Sequence, residues 1–109
     1  MQLVLKGLGA SQGTARGKVR LVAGEEDEER FQEGEVLVTK ITDPTMVMIM
    51  NKAAAIVCDI GGMTSHPSIV SRELGIPCVV AAKEATLKLR DGMEVLVDGT
   101  RGEIYLVKP

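Results

Sequence analysis

Tryptophan is absent from this chain, and phenylalanine, tyrosine and histidine each occur once. With so few rings, the core has to be assembled from Val, Ile, Leu, Met and Ala. Binding of single-stranded nucleic acid relies on stacking aromatics and a basic groove. Neither is present: 13 basic residues face 15 acidic ones, and no basic cluster stands out. No apolar run approaches the ~20 residues of a bilayer span. The start, Met1-Gln2-Leu3-Val4-Leu5-Lys6, does not follow the pattern of a signal peptide. The reading is a soluble, cytoplasmic protein with no nucleic-acid and no membrane partner.

Cysteine is scarce too. Cys58 and Cys78 lie in apolar, strand-like runs, where a thiol reads as a small buried hydrophobe rather than half of a disulfide or metal pair. One histidine and no Cys-x-x-Cys leave zinc without a ligand set. No Gly-Lys-Ser/Thr occurs, so the lysine-containing phosphate loop is missing, and binding of free ATP or NAD by this chain is not expected.

What the chain does have is one domain's length, 109 residues, of which 45% are apolar. Residues 2–6 alternate as a first strand. Gly7 to Gly17 holds four glycines and reads as loop. Its Gly-x-Gly-x-x-x-Gly spacing differs from the dinucleotide fingerprint, so tight turning between strands is the reading for most of these glycines. Lys18 to Val22 alternates with period two and predicts a half-buried strand. The acidic stretch Glu25 to Glu29 predicts a solvated loop or short exposed helix. Glu35 to Thr39 follows as a strand. Asp43-Pro44 then supplies a cap and first turn for a helix from Thr45 to about Lys52. Its methionines, Met46, Met48 and Met50, suit core packing better than an adaptable binding surface, because Val47 and Ile49 are interleaved. Later strands are predicted over 55–60, 78–82, 94–97 and 103–107, with a short helix over 83–89. Asp91-Gly92 reads as a turn, and Asp98-Gly99 as the turn of a hairpin. The pattern is α/β, with about seven short strands.

The chain centres on Gly61-Gly62-Met63-Thr64-Ser65-His66-Pro67, which follows the apolar run Ala53 to Cys58. Pro67 opens a helical pattern that Gly75 and Pro77 close. The first amides of a helix lack intrahelical partners, and the dipole places partial positive charge beside them, so this turn suits an anion. Gly61 and Gly62 allow close backbone approach, and Thr64 and Ser65 offer hydroxyl donors. An imidazole held there is pushed away from protonation and keeps a free ring nitrogen, which makes it a nucleophile. His66 is therefore a candidate phosphoryl acceptor. The plainer reading is a surface histidine beside hydroxyls that merely cap a helix. Ser65, Ser68 and Arg72 fall on one helical stripe, so Arg72 could lean toward a bound phosphate from roughly 10 Å along the axis. A structural ion pair or a docking contact is the alternative for Arg72.

Gly61 to His66, continued by Ile69-Val70-Ser71-Arg72-Glu73-Leu74-Gly75-Ile76-Pro77-Cys78-Val79-Val80, resembles the signature of the mobile phosphohistidine domain of phosphoenolpyruvate-utilising enzymes. These include phosphoenolpyruvate synthase, pyruvate phosphate dikinase and enzyme I of the sugar phosphotransferase system. Gly7, Ser11, Gly13 and Gly17 are similar to the family's N-terminal glycine pattern, so the resemblance starts at residue 7 and implies a complete domain. Two positions depart from it. Pro67 stands where the family usually has a small residue, and Ala81-Ala82 where a glycine often follows the strand.

The resemblance implies a swivelling β/β/α fold, sheet layers with helices on one side, and phosphorylation of His66 supported by Gly61, Gly62, Thr64, Ser65 and Arg72. It also implies partners. Enzymes of this family carry an ATP-binding domain and a phosphoenolpyruvate-binding barrel, and 109 residues have room for neither. The expectation is a phosphotransfer module without a cofactor of its own, with Mg²⁺ entering through the partner domains. Whether it is a separate subunit, a phosphocarrier or a piece of a larger enzyme stays open. A start at Met1 and an end just after the last strand favour a short natural chain. The other reading is a regulatory or structural module that keeps the fold without being phosphorylated.

Overall fold

The computed structural model describes residues 1–107. Its organising strand is β3, Thr14–Leu21, which belongs to two sheets at once. The first half, Thr14 to Lys18, pairs antiparallel with β7 (Glu94–Asp98). The second half, Val19 to Leu21, pairs parallel with β4 (Val36–Thr39). On the β7 side the sheet continues through β8 (Glu103–Leu106) to β1 (Gln2–Lys6), all antiparallel. On the β4 side it continues through β5 (Ala55–Cys58) and β6 (Cys78–Val80), both parallel, to the antiparallel edge strand β2 (Leu8–Ser11). The order is β1-β8-β7-β3-β4-β5-β6-β2.

The strands β4, β5 and β6 are apolar except for Thr39 because both faces are covered. Strand alternation divides their side chains between two cores. Val36, Val38, Ala55, Val57 and Val79 meet Val95, Val97 and Ile104 of the antiparallel sheet. Leu37, Ile56, Cys58, Cys78 and Val80 face the other way, toward Phe31, Met46, Ile49 and Met50. Each fully buried Val or Ile contributes about 1.5–3 kcal/mol relative to exposure. The result is sheet on sheet on helices.

Two helices build that third layer. Asp43 Oδ1 accepts the Thr45 amide at 2.8 Å and caps a 3₁₀ turn over Pro44–Met46, which runs into α1 (Val47–Lys52). Met46 and Met50 are buried while Met48 is exposed, so the helix packs on one face. The second is α2, His66–Leu74, ended by Gly75 in the left-handed region. The third helix, α3 (Ala85–Lys88), differs from the expectation of helices on one side. Ala85 and Leu89 enter the core between the sheets, so α3 closes the opposite face. The acidic stretch forms a 3₁₀ helix, Glu25–Arg30, with no buried residue.

Two further expectations are corrected. The glycine-rich stretch 7–17 is largely strand: β2 lies within it, and β3 begins at Thr14. Among the described residues there are eight strands rather than about seven. In Ala81-Ala82, where a glycine often follows the strand in the family, Ala81 has φ +54°, and Lys83 beyond it has φ +69°. A side chain in that region costs roughly 1–2 kcal/mol. The segment after β6 is thus held against its backbone preference by its surroundings, including the Ala82 amide on Cys58 O and the Lys83 amide on Asp59 O.

Carboxylates tie the β3 end of the molecule together. Arg20 donates to both oxygens of Glu35, at 3.2 and 2.9 Å, and the Gln32 amide donates to Glu35 at 2.7 Å. Burial pushes the Glu35 carboxyl up, but the Arg20 and Gln32 hydrogen bonds outweigh it and leave it below its usual range. Asp27 is lowered chiefly by the Ala23 amide, which donates to it at 2.6 Å. A carboxyl with a depressed folded pKa adds stability above its unfolded pKa of about 4, and that stability is lost as the pH falls through the folded value. Urea midpoints are therefore expected to be flat above about pH 5 and to fall below about pH 4, with Glu35→Gln shrinking the fall. A Glu35→Gln chain as acid-sensitive as the wild type would show that this network does not set the response.

Candidate functional site

The site forms where two loops leave the carboxyl ends of adjacent parallel strands, the place where open α/β sheets gather ligands. One loop follows β4 and carries Thr42 and Asp43. The other follows β5 and carries Gly61 to Ser65. They are stitched by backbone bonds from the Asp59 amide to Thr39 O and from the Ile60 amide to Lys40 O, each 3.1 Å.

Gly61 has φ +120°, and a β-carbon there would lie 2.9 Å from Ser65 Oγ. The turn thus requires glycine at 61. Gly62 differs. Its φ is not positive, and a β-carbon would meet nothing within 4 Å. The fold does not demand a glycine at 62, and its absent side chain leaves bare backbone facing open space.

His66 is the first residue of α2 and is half-buried. Pro67, second in the helix, has no N–H to offer, and the Ile69 amide is bonded back to Ser65 O at 3.1 Å. His66 Nδ1 lies 2.8 Å from Thr42 Oγ1. In the tautomer whose Nδ1–H donates to Thr42, Nε2 is the ring nitrogen with the free lone pair. Thr42 is buried and fixed in place, with its amide facing the Cys58 thiol. The Asp43 carboxyl is held below its usual range by the Thr45 hydroxyl and amide, with a smaller contribution from His66.

Ser65 and Ser68 turn inward. Ser65 Oγ donates to Gly62 O at 2.8 Å, the Gly62 amide donates back to Ser65 Oγ at 3.2 Å, and Ser68 Oγ donates to Gly62 O at 2.6 Å. Thr64 is exposed. Arg72 Nε donates to Ala10 O at 2.8 Å, and Nη2 donates to Met63 O. The stripe Ser65–Ser68–Arg72 is therefore real, and all three side chains meet the Gly62–Met63 turn. His66, Gly61, Gly62, Thr64 and Ser65 share one turn, and Arg72 reaches it from the second turn of α2.

Sequence reasoning missed Thr42. It stands 24 residues from His66 and carries no local pattern of its own. Its position just before the Asp43-Pro44 cap, at the end of a strand parallel to β5, was the available signal.

Beneath α2, Cys58 and Cys78 are buried and unbridged. Burial pushes the Cys78 thiol up to about 11, against the opposing pull of the Ser71 hydroxyl and Arg72. Burial also drives Cys58 well above the ordinary thiol range. Neither thiol is an available nucleophile at neutral pH. The Ser71 hydroxyl has no oxygen or nitrogen partner and faces the Cys78 thiol. Among the described residues, no group of three or more His, Cys, Asp or Glu side chains could hold a metal ion, and no helix is long and apolar enough to cross a membrane.

The chain is similar to known proteins. The family model described as "PEP-utilising enzyme, mobile domain" matches residues 31–102. The chain belongs to that family. It is 57% identical over 104 residues to a phosphoenolpyruvate synthase of Pyrococcus furiosus, covering 95% of this chain and 13% of that protein. It is 55% identical to a probable phosphoenolpyruvate synthase of Archaeoglobus fulgidus, again over 95% of this chain and 14% of the relative. The mobile domain here thus spans about an eighth of the length of these relatives. A solution structure of Enzyme I (nEIt) shares its fold at TM-score 0.65 and 28% identity, covering 76% of this chain and 34% of that one. Aconitase X of Thermococcus kodakaraensis matches at TM-score 0.73 over 95% of this chain and 98% of its own, but at 22% identity this is a likeness of fold alone.

Proposed function

We propose that this mobile domain is a phosphotransfer module in which His66 accepts a phosphoryl group and passes it on. The observation that carries the reading is the Thr42–His66 contact, which engages Nδ1 and leaves Nε2 free at the start of α2. Nε2 attacks the donor phosphorus. A P–N bond forms, the bond from phosphorus to the donor oxygen breaks, and its electron pair leaves with that oxygen. The Nδ1 proton stays on the ring, shared with Thr42 Oγ1. The charge gained by the imidazole is given up when the phosphoryl group moves to an acceptor oxygen.

The Gly62 and Ser65 amides are bonded within the turn, so the Met63 and Thr64 amides are the ones that suit the phosphoryl oxygens. Bare backbone at Gly62 gives a donor room to approach, and the Thr64 hydroxyl is on the exposed side. Ser65 supports from within, through Gly62. Phosphoenolpyruvate, or a phosphoryl group derived from ATP, is the donor class, presented by an ATP-binding or phosphoenolpyruvate-binding partner domain or subunit. Mg²⁺ is expected to enter with those partners. The family and the synthase relatives support this reading, because they place the same domain in phosphoenolpyruvate chemistry. Phosphorus–nitrogen coupling in the phosphorylated, ¹⁵N-histidine-labelled chain is expected to appear at Nε2. Coupling at Nδ1 would contradict the assignment of roles.

A further inference from the structure

Gly62, Met63 and Thr64 are joined by two successive peptides, and each has its carbonyl taken by a side chain of α2. Gly62 O accepts from Ser65 and Ser68. Met63 O accepts from Arg72, whose other bonded nitrogen, Nε, holds Ala10 O on β2. A trans peptide is planar, and its N–H points opposite its C=O. Fixing Met63 O toward Arg72 therefore fixes the Thr64 N–H away from Arg72. In the same way, Ser65 and Ser68 fix the Met63 N–H away from themselves.

The anchor is rigid. Ala10 belongs to a strand paired with β6, and Arg72 stands one turn before the Gly75 cap of α2. A planar guanidinium holds two carbonyls from different elements with donors in a fixed fork, whereas the ammonium of a lysine presents its donors from one rotatable atom. The loop facing the histidine is thus referenced to the sheet through one side chain.

We propose that Arg72 is a positioning residue for phosphoryl transfer, acting through the Met63–Thr64 peptide to preset the Thr64 N–H as a donor to the phosphoryl group on His66. This rests on the phosphohistidine reading above. It gives Arg72 a role that needs no direct contact with phosphate.

The test needs no partner protein. The ¹⁵N-labelled full chain is treated with phosphoramidate, a small chemical phosphoryl donor, and amide spectra are recorded beside the rate of loss of phosphohistidine. In the wild type, the Thr64 amide resonance should move strongly on phosphorylation. In Arg72→Met that movement should be largely lost, and phosphohistidine should decay faster by about tenfold, the scale of one lost hydrogen bond. Arg72→Lys should recover part of both, and it serves where the Met variant fails to fold. A wild-type Thr64 amide that stays still, or Arg72 variants that keep both the wild-type shift and decay rate, would overturn the proposal while leaving His66 as acceptor. Absence of any modification at His66 in the wild type would overturn both.

Discussion

Gly99→Ala is expected to destabilise this domain more than any other single methyl addition, although Gly99 is far from His66 in sequence and has ordinary dihedrals. It sits in the β7–β8 connection, and its amide donates to Gly13 O at 2.8 Å. A β-carbon there would lie 1.9 Å from Ser11 O, 2.8 Å from the Cys78 amide nitrogen and 3.1 Å from Pro77 Cα. All three are main-chain atoms, in the end of β2 and the start of β6, so no side chain can swing aside. Relief requires moving the hairpin tip off both strands. Such overpacking costs on the order of 3 kcal/mol or more. For a domain of this size that lowers Tm by about 12–24 °C. Gly62→Ala is the control for stability, with nothing within 4 Å of the added carbon and an expected effect within about 0.5 kcal/mol. A Gly99→Ala chain melting with the wild type would show that the β2–hairpin contact is not as tight as described.

The second large effect falls on chemistry. Thr42→Val keeps the shape of a buried residue and removes the oxygen 2.8 Å from His66 Nδ1. Two consequences follow. The ring loses the contact that favours the Nδ1–H tautomer, and the positive charge gained on phosphorylation loses its acceptor. Phosphoryl transfer is expected to slow by roughly 10–100-fold, one or two hydrogen bonds' worth of free energy. The slowing should appear in the maximal rate, with the concentration dependence on the partner unchanged, because Thr42 is buried and cannot touch a docked protein. Thr42→Ser should restore most of the rate. Equal rates for Thr42→Val and wild type would remove Thr42 from the mechanism.

These two positions show what local sequence can and cannot reveal. The start of α2 was legible because its signals are adjacent: Gly61 for the positive φ, Pro67 in the first turn, Gly75 for the left-handed end. The β7–β8 hairpin was legible from Asp98-Gly99 for the same reason. The β2 strand was hidden, since Leu8-Gly9-Ala10-Ser11 has poor strand propensity and is held by its pairing with β6. Burial of β4, β5 and β6 on both faces erased the alternation that would have marked two cores. The stripe of Ser65, Ser68 and Arg72 could be read from helical spacing. Which carbonyls it grips could not, because that depends on a loop path no periodicity encodes. Thr42 and Gly99 matter through contacts 24 and 88 residues away in the chain, to His66 and Ser11.

Ala81 illustrates how the resemblance and the structure inform each other. The resemblance marks Ala81-Ala82 as a place where a glycine often follows the strand, and the structure gives Ala81 a φ of +54°, which glycine adopts without strain. The departure carries a strain of roughly 1–2 kcal/mol in the segment following β6 without altering the turn that holds His66.

The most direct measurement of the central claim compares wild-type and His66→Ala chains after incubation with labelled phosphoenolpyruvate or ATP and a partner that supplies the nucleotide and phosphoenolpyruvate sites. The wild type is expected to carry label that is lost in acid and kept in base, as a phosphorus–nitrogen bond requires. The His66→Ala chain, folded as judged by its melting, is expected to carry none. Equal labelling of the two chains, or label that survives acid as a phosphoserine or phosphothreonine would, contradicts the account.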